Sequence, residues 1–176
     1  WLKVPGVEIA YVCDVDSARL AEGAREVAKN GQEQPPKQVT DFRKILEDPA
    51  VDVISIAAPN YWHAPATIMA CQAGKHVYVE KPGSHNAQEG VWMVEAARKD
   101  DRKVQMGNQR RSYPSMIEAM QKLRDGVIGK PIFGRCYYLS QRPDLGIGKP
   151  VPVPESLNYD LWQGPVPEYP YKDNLV

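Results

Sequence analysis

Short apolar runs alternate with amphipathic stretches along this sequence, and the alternation constrains the fold more than any other feature. The run VDVISIAA, residues 51–58, is almost continuously apolar, which is typical of a parallel strand covered by helices on both faces. The stretches between such runs carry apolar residues at helical spacing. Strands that alternate with helices build right-handed βαβ units. The sequence therefore predicts an α/β fold with a doubly wound parallel sheet.

Capping and turn residues give the bounds of the predicted elements. Strands are predicted at 7–13, 51–57, 76–79, 103–106 and 132–139, and helices from Asp16 or Ser17 to Gly31, after Asp41, at 61–73, from Asn86 to Lys99, and at 115–124. The segment QEQPPKQ, residues 32–38, is predicted to be a loop because two prolines permit neither a helix nor a central strand. Met116 and Met120, four residues apart, are predicted to face the core.

The composition excludes several classes of partner. Lys and Arg together number 22, as do Asp and Glu, so no net charge favours nucleic acid or an anionic membrane. No apolar run reaches the ~20 residues that span a bilayer. The three cysteines lack C-x-x-C spacing, which argues against a zinc site or a disulfide framework. We therefore expect no nucleic acid, no membrane and no metal, and a reducing cytoplasm is the default localisation.

Polar side chains follow the carboxyl ends of four predicted strands. The candidate residues, in chain order, are Asp14, then Pro59, Asn60 and His63, then Glu80, Lys81 and Pro82, and finally Asn108, Gln109 and Arg110. In open parallel sheets, ligands bind in the crevice outside the carboxyl ends of the strands. Because these ends meet at one edge of the sheet, we expect the ten residues to contribute to one site.

Three of these residues each allow two interpretations. A carboxylate such as Asp14 at a strand end can accept both ribose hydroxyls of an adenosine and repel a 2′-phosphate, which favours NAD over NADP, or it can simply cap a helix. Lys81 can direct its ammonium into the crevice toward a cofactor amide or a substrate hydroxyl, or it can form a weak surface ion pair with Glu80. His63, three residues after Asn60, can belong to the site or be structural.

Four motifs together resemble those of the Gfo/Idh/MocA oxidoreductases, the family of glucose–fructose oxidoreductase and inositol dehydrogenase. They are VEKP after an apolar strand, APNYWH before a helix, GNQRRS after the fourth strand and YDLWQGPVPEYPY near the end. The resemblance implies a Rossmann domain followed by an α/β substrate domain. It also implies binding of NAD or, less expectedly, NADP, and hydride transfer to or from a sugar or polyol.

The resemblance also assigns roles to individual residues. It implies that Lys81 contacts both nicotinamide and substrate as the catalytic residue, and that the Lys81–Pro82 bond is often cis. Glu80, Asn60 and His63 would line the nicotinamide and its ribose. Asp14 would bind the adenosine ribose. The loop Asn108–Gln109–Arg110 would close the far side of the pocket.

Two departures from the family pattern modify this expectation. No G-x-G-x-x-G turn occurs in the sequence, although such a turn normally holds the pyrophosphate. The first strand that precedes this turn in the family, which is normally central, is also unmatched, so we expect an unpaired gap in the sheet. The second departure is that the family's usual catalytic Asp or His lies in the substrate domain, and we expect this sequence to stop before reaching it. We therefore expect an internal fragment with a partial Rossmann domain at 1–129 and the truncated start of a substrate domain at 130–176.

Three functions remain open from the sequence. The first is an NAD-dependent sugar or polyol dehydrogenase, active as the longer parent protein and inactive as this chain alone. The second is a glycosidase that uses NAD for oxidation, elimination and re-reduction without net turnover. The third is a non-catalytic fragment or a module held by a partner chain. The resemblance further implies a possible homo-oligomer formed through the substrate domain.

Overall fold

The computed structural model describes residues 1–139 and 143–175. Its strands are β1 (Tyr11–Cys13), β2 (Lys37–Val39), β3 (Val53–Ile56), β4 (His76–Glu80) and β5 (Val104–Gly107). Its α-helices are α1 (Ser17–Lys29), α2 (Arg43–Leu46), α3 (Asn60–Gln72), α4 (Ala87–Lys99), α5 (Pro114–Arg124) and α6 (Tyr159–Gln163), with a 3-10 helix at Gln109–Ser112. All strand pairs are parallel. The α/β Rossmann-type architecture predicted from the sequence is confirmed.

The main core lies between the β3–β4–β5 sheet and helices α3 and α4. Val77 and Val79 of β4 point into it, and they pack against Ala64 and Ala70 of α3, which are fully buried. The small alanine side chains allow close contact between helix and sheet, and each fully buried valine contributes about 1.5–3 kcal/mol through removal of apolar surface from water. The opposite face is less covered, since Val53 remains 51% exposed.

The parallel strands form two sheets and not one. β1 pairs only with β2, while β3, β4 and β5 form a separate sheet in that order. No strand among residues 1–139 and 143–175 joins β1 to β3, so each of these strands keeps one free edge. The gap expected in the middle of the sheet is therefore confirmed.

Local capping determines where the longer helices begin. The Asp16 side chain accepts a hydrogen bond from the Ala18 N–H at 2.9 Å and caps α1. The Asn86 side chain accepts from the Glu89 N–H at 2.9 Å and caps α4. These side-chain oxygens satisfy N–H groups that have no partner within the helix. Both helices therefore start where the sequence predicted.

Three predictions about local structure were wrong. Strand β2 begins at Lys37, within the segment predicted to be a loop. Pro36 lacks a backbone N–H, but it lies just before the strand, and β2 is an edge strand that pairs only with β1 among the described residues. Residues 132–139 form no strand, since no neighbouring strand is available to pair with them. Met116 and Met120 do not face a core: they are 47% and 46% exposed, since no sheet within residues 1–139 and 143–175 covers this face of α5.

The proline-rich C-terminal region contains one helix that packs against the Rossmann part. Leu157, Tyr159 and Tyr171 form a second small core, against which Val15 and Trp162 pack. Asp16 and Leu157 form an isolated antiparallel bridge. The sequence predicted no regular structure at 143–171, so α6 was missed; Arg142, where that region was predicted to begin, lies outside the described residues. The boundary predicted between 129 and 130 remains a prediction.

Candidate functional site

His63 connects the loops that follow β3 and β4. It lies in the first turn of α3, and its side chain is 1% exposed. Its Nδ1 lies 2.6 Å from the carbonyl oxygen of Pro82, and its Nε2 lies 2.8 Å from that of Ala58. A neutral imidazole donates to only one of these oxygens, whereas an imidazolium donates to both. The buried ring therefore holds two carboxyl-end loops together.

Glu80 connects the ends of β4 and β5. Gln109 Nε2 lies 3.3 and 3.4 Å from the two carboxylate oxygens of Glu80, which accept from it, and the Lys81 backbone N–H donates to Oε2 at 3.3 Å. The absence of a side chain at Gly107 permits this approach, since a Cβ there would lie 2.7 Å from the Tyr78 hydroxyl and 3.1 Å from Glu80 Oε1. The Glu80 carboxylate thus joins the loop after β4 to the loop after β5.

Lys81 lies on an open part of this edge. Its side chain is exposed, and the bond between Lys81 and Pro82 is cis, as the family resemblance implied. Among the described residues the Lys81 ammonium forms no ion pair, so the interpretation as a surface pair with Glu80 is not supported. Lys81 and Pro82 line a groove that runs along β4 and α4 toward Met106.

Asp14 follows β1 and keeps one oxygen available. Its Oδ1 accepts the Asp16 backbone N–H at 2.9 Å. Its Oδ2 accepts no hydrogen bond from residues 1–139 or 143–175, and Asp16 is the residue that caps α1. The interpretation of Asp14 as the simple helix cap is therefore not supported, and one carboxylate oxygen can accept bonds from a ligand.

A cavity of about 530 Å³ separates β1 from β3 and extends to their carboxyl ends. Its walls include Asp14 on one side and Ala57, Ala58 and Pro59 on the other. Leu157, Leu161 and Trp162 of the C-terminal region lie at its mouth, whereas Phe42, Ile45, Ile54, Ile56 and Ala66 form apolar walls. This volume is within the roughly 300–1,000 Å³ that is usual for small-molecule sites.

Two carboxylates, those of Asp14 and Asp41, lie where β1 meets this cavity. The pKa of the Cys13 thiol is raised to about 11, chiefly because desolvation disfavours the thiolate and then because the Asp14 and Asp41 carboxylates disfavour a second negative charge. The Arg43 guanidinium holds the pKa of Asp41 below its usual value through a hydrogen bond. Asp41 is thus paired with Arg43 at 2.6 Å, whereas Asp14 forms no ion pair among the described residues.

The structure divides the predicted site residues between three places. Asp14 and Pro59 line the cavity, whereas Lys81 and Pro82 line the neighbouring groove. His63, Glu80 and Gln109 hold the loops between them. The remaining predicted residues are exposed, and their side chains form no hydrogen bond within the described part of the chain: Asn60, Asn108 and Arg110. No group of three His, Cys, Asp or Glu residues within residues 1–139 and 143–175 could hold a metal ion.

Sequence reasoning missed several residues that build this edge. The carbonyl of Ala58 is a backbone group and gives no sequence signal. Gly107 could have been noticed because a glycine closes a strand directly before a polar run. The Trp62 indole donates to the Leu161 carbonyl oxygen at 2.8 Å, and this contact fixes α6 against the start of α3. Its partner lies far along the chain, so no local pattern predicts it.

The fold agrees with a comparison against known families. A family model described as "Oxidoreductase family, NAD-binding Rossmann fold" matches residues 1–108. The chain belongs to the Gfo/Idh/MocA oxidoreductase family. Its Rossmann part is therefore a dinucleotide-binding domain of the NAD(P) type, and the resemblance found in the four motifs is confirmed.

Members of the Gfo/Idh/MocA family with different reactions are similar to this chain. A "Glycosyl hydrolase family 109 protein" of Saccharopolyspora erythraea is 33% identical over 153 residues, which cover 85% of this chain and 33% of that protein. The scyllo-inositol 2-dehydrogenase (NAD(+)) of Bacillus subtilis is 32% identical over 139 residues, covering 79% and 39%. A solved levoglucosan dehydrogenase, in complex with NADH and levoglucosan, has a TM-score of 0.58 and 30% identity, covering 69% and 31%.

The matched relatives are considerably longer than this chain. The 176 residues span about a third of the glycosyl hydrolase family 109 protein and about two fifths of the inositol dehydrogenase. No helix among the described residues combines enough length with enough apolar character to cross a bilayer.

Proposed function

We propose that this chain supplies the cofactor-binding half of an NAD-dependent oxidoreductase that acts on a hydroxyl group of a sugar or polyol. The observation that carries the proposal is the set of loops after β3, β4 and β5, which His63 and Glu80 hold together beside the cavity that Asp14 lines. Its support is family membership, together with the polyol and anhydrosugar dehydrogenases that match this chain.

Asp14 is the residue we assign to the adenosine ribose. Its free Oδ2 can accept hydrogen bonds from ribose hydroxyls, and its negative charge would repel a 2′-phosphate. We therefore propose NAD in preference to NADP. Asn60 and Pro59 would border the nicotinamide ribose at the start of α3, with His63 and Glu80 keeping the loops in place. The polar run Asn108–Arg110 would close the far side.

Lys81 is the residue we propose as catalytic. When bound, the nicotinamide ring accepts a hydride from, or returns it to, a substrate carbon. The exposed Lys81 ammonium, which has no competing ion pair in the described structure, would donate hydrogen bonds to the nicotinamide amide and to the substrate oxygen. It would hold that oxygen in place and stabilise negative charge there while its proton leaves.

The fit to a dinucleotide is good at both ends and incomplete in the middle. Asp14 and Lys81 suit the ribose and the nicotinamide, but the sequence lacks a G-x-G-x-x-G turn for the pyrophosphate. We therefore expect the 176-residue chain to bind NAD⁺ only weakly and to show no dehydrogenase activity alone. The measurement is ¹⁵N chemical-shift titration with NAD⁺ and NADP⁺, which detects weak binding residue by residue.

Two variants test the assignment against matched controls. Lys81→Ala should abolish shifts at the nicotinamide end, whereas Lys99→Ala, an exposed lysine of α4, should leave them unchanged. Asp14→Asn should reduce the preference for NAD⁺ over NADP⁺, and Asp52→Asn, an exposed carboxylate at the other end of β3, should not. Shifts that are identical in all four variants would refute the assignment.

A second reaction is supported by one comparison, the 33% identity to a glycosyl hydrolase family 109 protein. In that case the same edge would hold NAD through oxidation, elimination and re-reduction of a glycoside. Sugar release without accumulation of NADH by the longer protein would favour this alternative. Steady NADH formation from a free polyol would favour the dehydrogenase. A chain without any nucleotide-dependent shifts would favour the non-catalytic module.

Localisation and assembly complete the proposal. We propose a cytoplasmic protein with small-molecule substrates and no nucleic-acid partner. We also propose a homo-oligomer formed through the substrate domain. Size-exclusion chromatography with light scattering on the longer protein tests that assembly.

A further inference from the structure

We propose that residues 156–164, here named the docking segment, position the two cofactor loops that follow β1 and β3, with Tyr61 as the positioning residue that attaches the segment to α3. We further propose that nucleotide binding strengthens the docking of this segment. The docking segment includes α6 and belongs to the C-terminal region. This inference rests on the proposed function, since it concerns the same nucleotide.

The docking segment pairs with the loop that follows β1. The Asn158 N–H donates to the Val15 carbonyl oxygen at 2.9 Å, and the Ser17 N–H donates to the Ser156 carbonyl oxygen at 2.9 Å. These two backbone bonds flank an isolated antiparallel bridge. The residue between Val15 and Ser17 is Asp16, which has an extended backbone conformation. The docking segment therefore fixes the backbone of this loop.

The backbone of Asp16 orients the carboxylate that we assign to the adenosine ribose. The Asp16 N–H donates to Asp14 Oδ1 at 2.9 Å, and this bond leaves Oδ2 available to a ligand. Because the position of Asp16 depends on the docking segment, the orientation of Asp14 depends on it as well. Release of the segment would free Asp16 and weaken the hold on the ribose.

The docking segment also contacts the first turn of α3. The Tyr61 hydroxyl donates to the Trp162 carbonyl oxygen at 2.5 Å, and the Trp62 indole N–H donates to the Leu161 carbonyl oxygen at 2.8 Å. The last carbonyl groups of a helix have no partner within that helix, so these two side chains cap the carboxyl end of α6. Asn60, which would border the nicotinamide ribose, directly precedes Tyr61.

The docking segment is held mainly by its own contacts. Leu157, Tyr159 and Gln163 are buried, whereas residues 149–155 before the segment and 167–170 after it are exposed. Short units with exposed flanks and few long-range backbone bonds open without global unfolding. The segment therefore has a docked and a released state, and the contacts to the two loops exist only in the docked state.

Nucleotide binding and docking are coupled because they use the same loops. Leu157, Leu161 and Trp162 line the same cavity as Asp14 and Pro59. A nucleotide that contacts both loops binds the docked state more tightly, so it shifts the equilibrium toward docking. By reciprocity, release of the segment weakens nucleotide binding by the same factor, which is commonly about fivefold or more.

The first test is hydrogen exchange measured by NMR, with and without saturating NAD⁺. The backbone N–H groups of Asn158 and Ser17 and the indole N–H of Trp62 donate the bonds that report docking. We expect NAD⁺ to slow exchange at these three groups by about fivefold or more. A structural contact that is not coupled to the nucleotide would show no such change.

The second test is Tyr61→Phe, which removes only the hydroxyl. Tyr61 is not among the described residues that line the cavity. We nevertheless expect the apparent Kd for NAD⁺, followed by chemical shifts at Val15 and Asp16 on the β1 side, to rise about fivefold or more. Tyr169→Phe is the matched control, because it removes an exposed hydroxyl from the same region. That variant should keep the Kd of the wild type.

The outcomes separate this inference from the proposed function. If NAD⁺ shifts Val15 and Asp16 but leaves exchange at the three N–H groups unchanged, the inference is overturned and the proposed function stands. An equal Kd for the wild type and Tyr61→Phe would overturn the inference in the same way. A wild-type chain without any NAD⁺-dependent shift would refute the proposed function and this inference with it.

Discussion

Replacement of His63 is the sharpest test of how the candidate site is held together. The ring is 1% exposed and bonds the carbonyl oxygens of Ala58 and Pro82 at 2.8 and 2.6 Å. His63→Phe keeps a ring of similar size but removes every donor. A buried acceptor that loses its partner costs about 1–3 kcal/mol, so we expect that loss in the free energy of unfolding. His63→Ala adds a cavity, for a total of about 3–5 kcal/mol.

The assay is urea unfolding followed by tryptophan fluorescence, with His85→Ala as the control. His85 has an exposed side chain, and a surface change of this kind usually alters stability by less than about 0.5 kcal/mol. The two His63 variants should also lose any NAD⁺-dependent shifts at Pro59 and Asn60, because the loops would no longer be fixed. A His63→Phe variant as stable as the wild type would refute the claim that this ring holds the two loops through hydrogen bonds.

Three further predictions concern other parts of the chain. In a thermal melt, Gly164→Ala should destabilise the protein more than Gly31→Ala. Both glycines have positive φ, but a Cβ at Gly164 would lie 2.5 Å from the Trp62 ring, whereas a Cβ at Gly31 would meet open space. Equal effects would contradict this packing. Alkylation of Cys13, followed by mass spectrometry, should accelerate up to about pH 11, its raised pKa. A plateau near pH 9 would contradict this raised pKa. The pKa of Asp48 is lowered to about 2, so the ionised carboxylate stabilises the fold above its unfolded pKa, and this stabilisation is lost as pH falls from about 4 toward 2. Asp48→Asn should therefore make the stability less dependent on pH in that window, as measured by acid unfolding. An unchanged acid-unfolding profile would count against this prediction.

Prediction from the sequence succeeded where the decisive contacts lie within a few residues. The caps at Asp16 and Asn86 bond N–H groups two and three residues away, and the helices α3 and α4 follow from apolar spacing. The candidate residues at the strand ends were also predictable, since a strand end is a local feature. The four motifs predicted the family, which the comparison confirmed.

The failures share a common physical cause, a partner that is distant in the sequence. Strand β2 depends on β1, which lies more than twenty residues away, as the pairing of Tyr11 with Lys37 shows. Met116 and Met120 have helical spacing, but spacing cannot establish that a sheet covers them. His63 was equally divided between two interpretations because its two carbonyl partners belong to different loops.

The sequence by itself determined the βαβ alternation, the positions of the helix caps and the polar residues at the carboxyl ends, because periodicity and capping act over a few residues. Only the tertiary structure decided that the strands form two sheets, that Asp14 and Lys81 line separate spaces, and that a cavity separates β1 from β3. These features depend on which distant backbone and side-chain groups find hydrogen-bond partners.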